Sequence, residues 1–280
     1  MRALQVVAPG PSATLQDLGR PGLARLGVGV SGAADRGALC LANRLVGNPE
    51  GAAGVEATLG GLVLQAAGSV LLALTGADCA ATVDGRPVGH GALLRLGDGQ
   101  RLGLGVPARG LRTYVAVRGG LDVAPVLGSR STDVLAGLGP PPLEAGAVLP
   151  VGPPAGPLPA VDHVPLRPLP DDVVLRVLPG PRADWFAAPP APGPWTVTPD
   201  SDRVGVRLDG PALTRTVDRE LPSEGVVRGA LQVPPSGLPV LFLADHPLTG
   251  GYPVVAVVRA ADVDLAAQLR PGQGLRLTTR

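Results

Sequence analysis

The 280-residue chain contains no lysine; all 24 of its basic residues are arginine. That absence excludes a Schiff-base lysine and a phosphate loop of the type whose lysine reaches the β- and γ-phosphates. It also excludes biotin carried on this chain, because biotin is attached through a lysine. Any ATP or biotin chemistry in which the chain takes part must draw on another chain. Aromatic residues make up 2%, too few for the stacking platforms of single-strand binding. The formal net charge is +1, so no strong field points toward phosphate backbones or anionic lipid. Nucleic acid and membrane surfaces are therefore not expected partners. The two cysteines, Cys40 and Cys79, read as buried free thiols. The three histidines, His90, His163 and His246, are far apart, so no metal site is expected. No apolar run approaches the roughly 20 residues of a membrane span, and Met1–Gln5 lacks the apolar core of a secretory signal. The expected location is the cytoplasm.

What the chain has in excess is glycine, 41 residues, and proline, 33 residues, against a hydrophobic content of 45%. Apolar runs recur regularly between these punctuators, which argues for short strands rather than disorder. Strands are expected at 2–7, 62–66, 70–74, 80–83, 92–96, 101–106 and 112–117. A second series is expected at 173–178, 195–198, 240–244, 254–259 and 274–278. Asp84-Gly85 and Asp98-Gly99 read as hairpin turns. One helix is expected over 34–46, with Ala38, Leu41, Ala42 and Leu45 at helical spacing and Ser31 as a possible N-cap. A shorter helix is expected over 262–269. The fold class is mainly β with a few short helices. The proline-dense stretch 151–170 reads as a semi-rigid linker. It divides an N-terminal β-rich module, residues 1–150, from a C-terminal β-barrel module, residues 171–280. Leu96–Leu104 and Leu269–Leu277 agree at five of nine positions, each a turn entering a strand.

Gly27-Val-Gly-Val-Ser-Gly32 satisfies G-x-G-x-x-G, but no apolar strand leads into it and hairpins follow, so a dinucleotide fold is rejected. Its backbone N–H groups before a helix still suit an anion, making Gly27, Ser31 and Gly32 a possible anion-binding loop. Four polar clusters stand out: Thr14–Gly22, Ser201–Leu208, Ser223–Pro234 and Asp245–Pro253. Each places carboxylate, arginine or amide groups on a Gly-rich loop beside apolar strands, where sites are commonly built. Arginine offers a planar fork for an oxyanion, and a carboxamide can hold an amide edge. A carboxylate can act as general base. The same loops also serve simply to tie down turns, and both readings stand at this point.

Several segments together resemble one family. They are Thr-Leu-Gln-Asp-Leu-Gly-Arg-Pro-Gly at 14–22, Gly-Val-Gly-Val-Ser-Gly-Ala-Ala-Asp-Arg at 27–36 and Leu-Ala-Asn-Arg-Leu-Val-Gly-Asn at 41–48. Downstream lie Arg118–Asp133, Ser201–Leu208, Ser223–Pro234 and Thr-Gly-Gly-Tyr-Pro at 249–253. In this order they are similar to the biotin-dependent carboxyltransferase family, also called allophanate hydrolase subunit 2. The resemblance implies two cyclophilin-like β-barrel modules. It implies one component of an ATP-dependent 5-oxoprolinase that hydrolyses 5-oxo-L-proline to L-glutamate with partner subunits A and B, with ATP used at the level of the complex. Read onto this chain, Glu224 and Asp245 are the candidates for acid/base work. Asn43, Arg203, Arg207, Gln232, Thr249 and Tyr252 are the candidates for holding a small cyclic amide and its carboxylate. Two alternatives follow from the same family. One is the carboxyltransferase component of a biotin-dependent urea or amide carboxylase; the other is a non-enzymatic regulator that binds a protein of the sporulation-kinase-inhibitor type.

Overall fold

The computed structural model describes residues 2–166, 168–190 and 192–279. It divides into two compact units. One comprises Met1–Arg20, Asp35–Asp133 and Gly137–Leu169; the other comprises Pro21–Ala34, Val134–Ala136 and Pro170–Arg280. This differs from a division at a single linker, because two internal stretches, 21–34 and 134–136, belong with the C-terminal part. The proline-rich segment belongs with the N-terminal part for a visible reason. Its non-proline residues still pair. Leu93 N–H donates to Asp162 O at 2.7 Å, and Val164 N–H donates to Gly91 O at 2.8 Å. The Arg2 and Arg118 guanidiniums donate to the carbonyls of Gly152 and Gly156. The segment is thus a strap tied to its own unit.

The first unit carries β1 (Ala3–Pro9), β2 (Ser12–Gln16), α1 (Arg36–Leu45), β3 (Gly54–Thr58), β4 (Leu62–Ala67), β5 (Val70–Gly76), β6 (Thr82–Val83), β7 (Arg86–Pro87), β8 (Leu93–Leu96), β9 (Arg101–Gly103), β10 (Arg112–Val117) and β11 (Val148–Pro150). They form two sheets, ordered β11-β1-β4-β9-β6-β7 and β2-β3-β10-β5-β8. Both sheets feed one apolar core, with Leu4, Val6 and Leu64 from the first and Val55, Leu72 and Val115 from the second. Each such fully buried side chain stabilises the fold by about 1.5–3 kcal/mol relative to exposure. In this unit β7 and β11 end one sheet and β2 and β8 end the other. Asp84-Gly85 does join the hairpin β6–β7. Asp98-Gly99 instead carries the chain from β8 in one sheet to β9 in the other.

Helix α1 starts two residues later than its apolar spacing predicts, and Ser31 does not cap it. Asp35 does, from an extended backbone, its Oδ1 accepting from Ala38 N–H at 2.9 Å. An N-cap needs that extended conformation, whereas Ser31 lies at φ 55°. The helix buries Ala38, Leu39, Ala42 and Leu45. Small residues on the sheet, Ala73 and Ala116, make room for Ala42 and Leu45.

The second unit carries β12 (Val173–Pro179), β13 (Trp195–Val197), β14 (Gly205–Asp209), β15 (Glu224–Gly225), β16 (Ala230–Gln232), β17 (Val240–Phe242), β18 (Thr249–Gly250), β19 (Val254–Val258), α2 (Ala260–Ala266) and β20 (Gly274–Thr278). Seven strands close a barrel in the order β12-β19-β16-β17-β14-β13-β20, and β20 pairs in parallel with β12 to complete it. Alternation is clear: Val173, Leu175 and Val177 on β12, and Leu275 and Leu277 on β20, are buried around Trp195, while Val174, Arg176 and Arg276 face out. The period of two that defines a half-buried strand decides which side chains fill the barrel.

The repeat of Leu96–Leu104 at Leu269–Leu277 is one turn built twice. Gln100 N–H donates to Gly97 O at 3.2 Å and Gly97 N–H donates to Gln100 Oε1 at 2.8 Å; Gln273 and Arg270 repeat both bonds at 3.0 and 3.1 Å. Gly99 and Gly272 supply the positive φ that the third residue of such a turn requires, at 77° and 81°.

Candidate functional site

The polar clusters downstream of residue 200 sort into two assemblies within the barrel unit. The first assembly is centred on Asp245, which follows β17, and Arg203, which precedes β14. Both are buried, and their side chains meet as a two-pronged pair: Nε to Oδ2 at 2.9 Å and Nη2 to Oδ1 at 3.0 Å. Asp245 also accepts from the Ser31 hydroxyl at 2.7 Å and from Val134 N–H at 3.0 Å. Arg203 in turn donates to Gly32 O at 2.6 Å. Thus the pair ties the 21–34 and 134–136 stretches to the barrel. Ser31, expected on an anion-binding loop, does meet an anion, and that anion is the carboxylate of Asp245. Gly27 is exposed at the far end of the same loop. With four donors on its two oxygens, Asp245 is positioned to hold structure.

The second assembly surrounds the short ribbon β15–β18, in which Glu224 lies opposite Gly250 and Gly225 opposite Thr249. Glu224 is about one-third exposed at its side chain and is gripped by Arg182, whose Nε donates to Oε2 at 3.1 Å and whose Nη2 donates to Oε1. Gln232, at the end of β16, is buried, and its amide donates to Tyr252 O at 3.0 Å. A side chain at position 250 would stand 2.4 Å from Gln232 Nε2, so Gly250 lets the ribbon lie directly over that amide. Thr249 and Tyr252 are exposed beside it. One carboxylate and one hydroxyl therefore lie on the ribbon, one carboxamide on the neighbouring strand β16, and one phenol two residues past the end of β18. This set can bind an amide edge and exchange a proton with it.

Two expected residues stand apart. Arg207 projects outward from the middle of β14, its backbone N–H held by Ser201 Oγ at 3.0 Å. Asn43 lies in the first unit, where its amide donates to Glu50 O and Ala52 O at 3.0 and 2.8 Å and accepts from Asn48 at 3.0 Å. It closes the turn after α1. His246 Nδ1 lies 2.7 Å from Pro247 O, and its ring tilts against Phe242. His163 is exposed. His90 is not a free surface residue: its ring nitrogens are shielded, and burial lowers its pKa, with Asp78 opposing. Cys79 is buried, which raises its thiol pKa and disfavours a thiolate. Among the described residues no group of His, Cys, Asp and Glu is arranged to hold a metal ion. No helix among them is long and apolar enough to cross a membrane.

Arg182 lies outside the four polar clusters of the sequence. Its signal is present all the same: it follows Pro179-Gly-Pro181 directly after an apolar strand, the same loop chemistry as in those clusters. Its partner lies 42 residues downstream, beyond any local pattern.

The carboxyltransferase domain family, subdomain A and B, matches residues 26–279. The chain is 40% identical to the C subunit of 5-oxoprolinase from Escherichia coli over 277 residues, covering 96% of this chain and 89% of that protein. It is 35% identical to the C subunit of 5-oxoprolinase from Haemophilus influenzae, covering 94% and 87%. Urea amidolyase of Lachancea kluyveri is 31% identical over 98% of this chain, which spans only 17% of that protein. Among solved structures, TTHA0988 superposes with a TM-score of 0.89 at 38% identity over 99% of this chain. The chain spans about half the length of that structure, 55%. The Kluyveromyces lactis urea amidolyase structure also gives a TM-score of 0.89, at 28% identity, with 98% of this chain and 18% of the longer one covered.

Proposed function

Because this chain belongs to the carboxyltransferase domain family, subdomain A and B, we propose that it is the C subunit of an ATP-dependent 5-oxoprolinase. The observation that carries the reading is 40% identity to the C subunit of a known 5-oxoprolinase, nearly end to end in both chains. The complex would open 5-oxo-L-proline to L-glutamate by adding water across the ring amide bond. An amide is a poor electrophile, and ATP supplies the driving force and the activation of the carbonyl. This chain has no lysine-bearing phosphate loop, so the nucleotide contacts come in part from subunits A and B, and activity needs the complex.

In this reading the β15–β18 ribbon holds the lactam. Gln232 and Tyr252 orient its amide edge, and Thr249 lies beside it. Glu224, steered by Arg182, moves a proton at the ring nitrogen or at the attacking water. Asp245 and Arg203 act one step back, by fixing the 27–34 loop against the barrel. The likeness to urea amidolyases, at 31% and lower identity, supports a second reading as a carboxyltransferase of urea or another small amide, with carboxybiotin borne by a different chain.

Co-expression with subunits A and B, followed by assay of ATP-dependent glutamate release from 5-oxoproline, separates the two. Release supports the hydrolase. A folded, complete complex that releases no glutamate but consumes carboxybiotin in the presence of urea replaces it with the second reading.

A further inference from the structure

A cluster of positive charge lies in the barrel unit beside Glu224, outside the four polar clusters of the sequence. Arg182, Arg215 and Arg219 place their guanidinium carbons 5.5, 5.0 and 5.2 Å from the centroid of the Trp185 ring. Trp185 is buried and sits in a short 3-10 turn after β12. The stretch bearing Arg215 and Arg219 runs alongside that turn, with Thr216 N–H donating to Trp185 O at 2.8 Å and Ala187 N–H donating to Thr214 O at 3.0 Å. The cluster is therefore built on paired backbone rather than on a loose loop.

The three guanidiniums are unequally occupied. Arg182 spends Nε and Nη2 on Glu224. Arg215 spends Nε and Nη2 on the carbonyls of Val217 and Arg219, which fixes it without neutralising it. Arg219 makes no side-chain hydrogen bond or ion pair among the described residues, and its one contact is the Trp185 ring. The neighbouring acids Asp184, Asp218 and Glu220 are exposed and, among the described residues, form no ion pair with these arginines. Three cations thus share one carboxylate. The ring quadrupole attracts each cation, but it does not cancel their charge. A guanidinium has five donors in a planar fork suited to carboxylate and phosphate. Here two forks are pinned by one edge with Nη1 left over, and the third is wholly unspent.

We infer that Arg182, Arg215 and Arg219, stacked around Trp185, form a binding site for a small oxyanion, a phosphate or a carboxylate. The inference stands on this chain alone and does not depend on the hydrolase reading.

The test uses the full chain without partners, titrated at low chloride with inorganic phosphate and separately with 5-oxoproline. Tryptophan fluorescence reports Trp185 together with Trp195, and calorimetry follows binding even where emission is silent. We expect saturable binding of at least one of the two, weakened fivefold or more in Arg219→Gln, whose side chain supports no fold contact beyond the ring. Arg86→Gln, an exposed arginine of the other unit, should bind as the parent does. Response to phosphate alone assigns a phosphoryl ligand; response to 5-oxoproline alone assigns a carboxylate. No saturable heat with either anion, or equal affinity in Arg219→Gln, overturns the site. Because no partner is present, neither result depends on whether the complex opens a lactam.

Discussion

Replacing Asp245 by asparagine tests whether this carboxylate holds the barrel unit together or performs chemistry. Its side chain is fully buried and that of Arg203 is 7% exposed. Removing the negative charge leaves a guanidinium in a site almost without water. Breaking one side of a buried pair in this way costs about 3–5 kcal/mol. Asparagine keeps one acceptor oxygen but turns an NH2 group toward donors, either Arg203 Nη2 and the Ser31 hydroxyl on one side or Arg203 Nε and Val134 N–H on the other. A lost bond to a buried polar group adds about 1–3 kcal/mol. The expected loss is therefore at least about 4 kcal/mol, a large part of the roughly 5–15 kcal/mol that typically separates folded from unfolded domains. Urea unfolding followed by tryptophan emission reads it, since Trp195 lies in the core of the same barrel. Arg203→Ala should cost a similar amount. The double variant should cost less than the sum, by about 2–3 kcal/mol, because the two side chains share one interaction. If Asp245→Asn unfolds within about 1 kcal/mol of the parent while the assembled complex loses its turnover, the structural role is refuted and Asp245 is a reacting group.

Three further outcomes follow from individual contacts. Hydrogen bonds from Arg176 hold the Asp262 carboxyl below its ordinary value of 3.8, so the pair stabilises the fold above that pH. The contribution disappears as pH falls through the lowered value; the parent should lose more stability than Asp262→Asn between about pH 5 and pH 2, by a small margin because Arg176 is half exposed. Burial draws the His90 pKa below 6.5, so the folded chain resists protonation that the unfolded chain accepts. Stability should decline as pH falls below 6.5, and His90→Gln should flatten that decline in urea midpoints measured from about pH 7.5 to 5. Gly250→Ala drives a methyl into Gln232 Nε2, the end of a flexible side chain; it should displace that amide from Tyr252 O and raise the KM for the lactam several-fold, with an unfolding midpoint close to the parent.

The strands of both units are legible because alternation is a local property. Residues 112–117, 70–74 and 173–178 announce themselves by period and by flanking turns, and β10, β5 and β12 lie there. Strands β2 and β3 are not legible in this way, because Ser12–Gln16 and Gly54–Thr58 carry glutamine, glutamate, threonine and alanine rather than aliphatic runs. They are strands because β3 is flanked on both sides, by β2 and by β10, so that even Glu56 is buried, with Tyr114 O–H donating to it at 2.7 Å. Tertiary pairing overrides weak β-propensity there. The cap of α1 is misplaced in the sequence for a related reason: Ser31 has good cap chemistry, but its backbone is committed to a left-handed turn and its hydroxyl to Asp245.

The site is legible in its parts and not in its grouping. Both carboxylates named for acid/base work lie on Gly-rich loops, and both prove to be paired with an arginine 42 positions upstream. In the sequence the two situations look alike. In the structure they differ in solvent access and in the number of donors. Asp245 is saturated by Arg203, Ser31 and Val134 and sealed from water, so a proton could reach it only by dismantling the pair. Glu224 has one partner among the described residues and about a third of its side chain open. A carboxylate in that position keeps lone pairs available, and it shares its ribbon with Thr249 and its neighbourhood with the Gln232 amide. The same arginine that steers Glu224 belongs to the cluster around Trp185. An oxyanion bound at Arg215 and Arg219 would compete with Glu224 for the Arg182 fork and so alter the ribbon carboxylate. Charge balance thus links the two features: occupancy of the arginine cluster would set how tightly Arg182 holds Glu224.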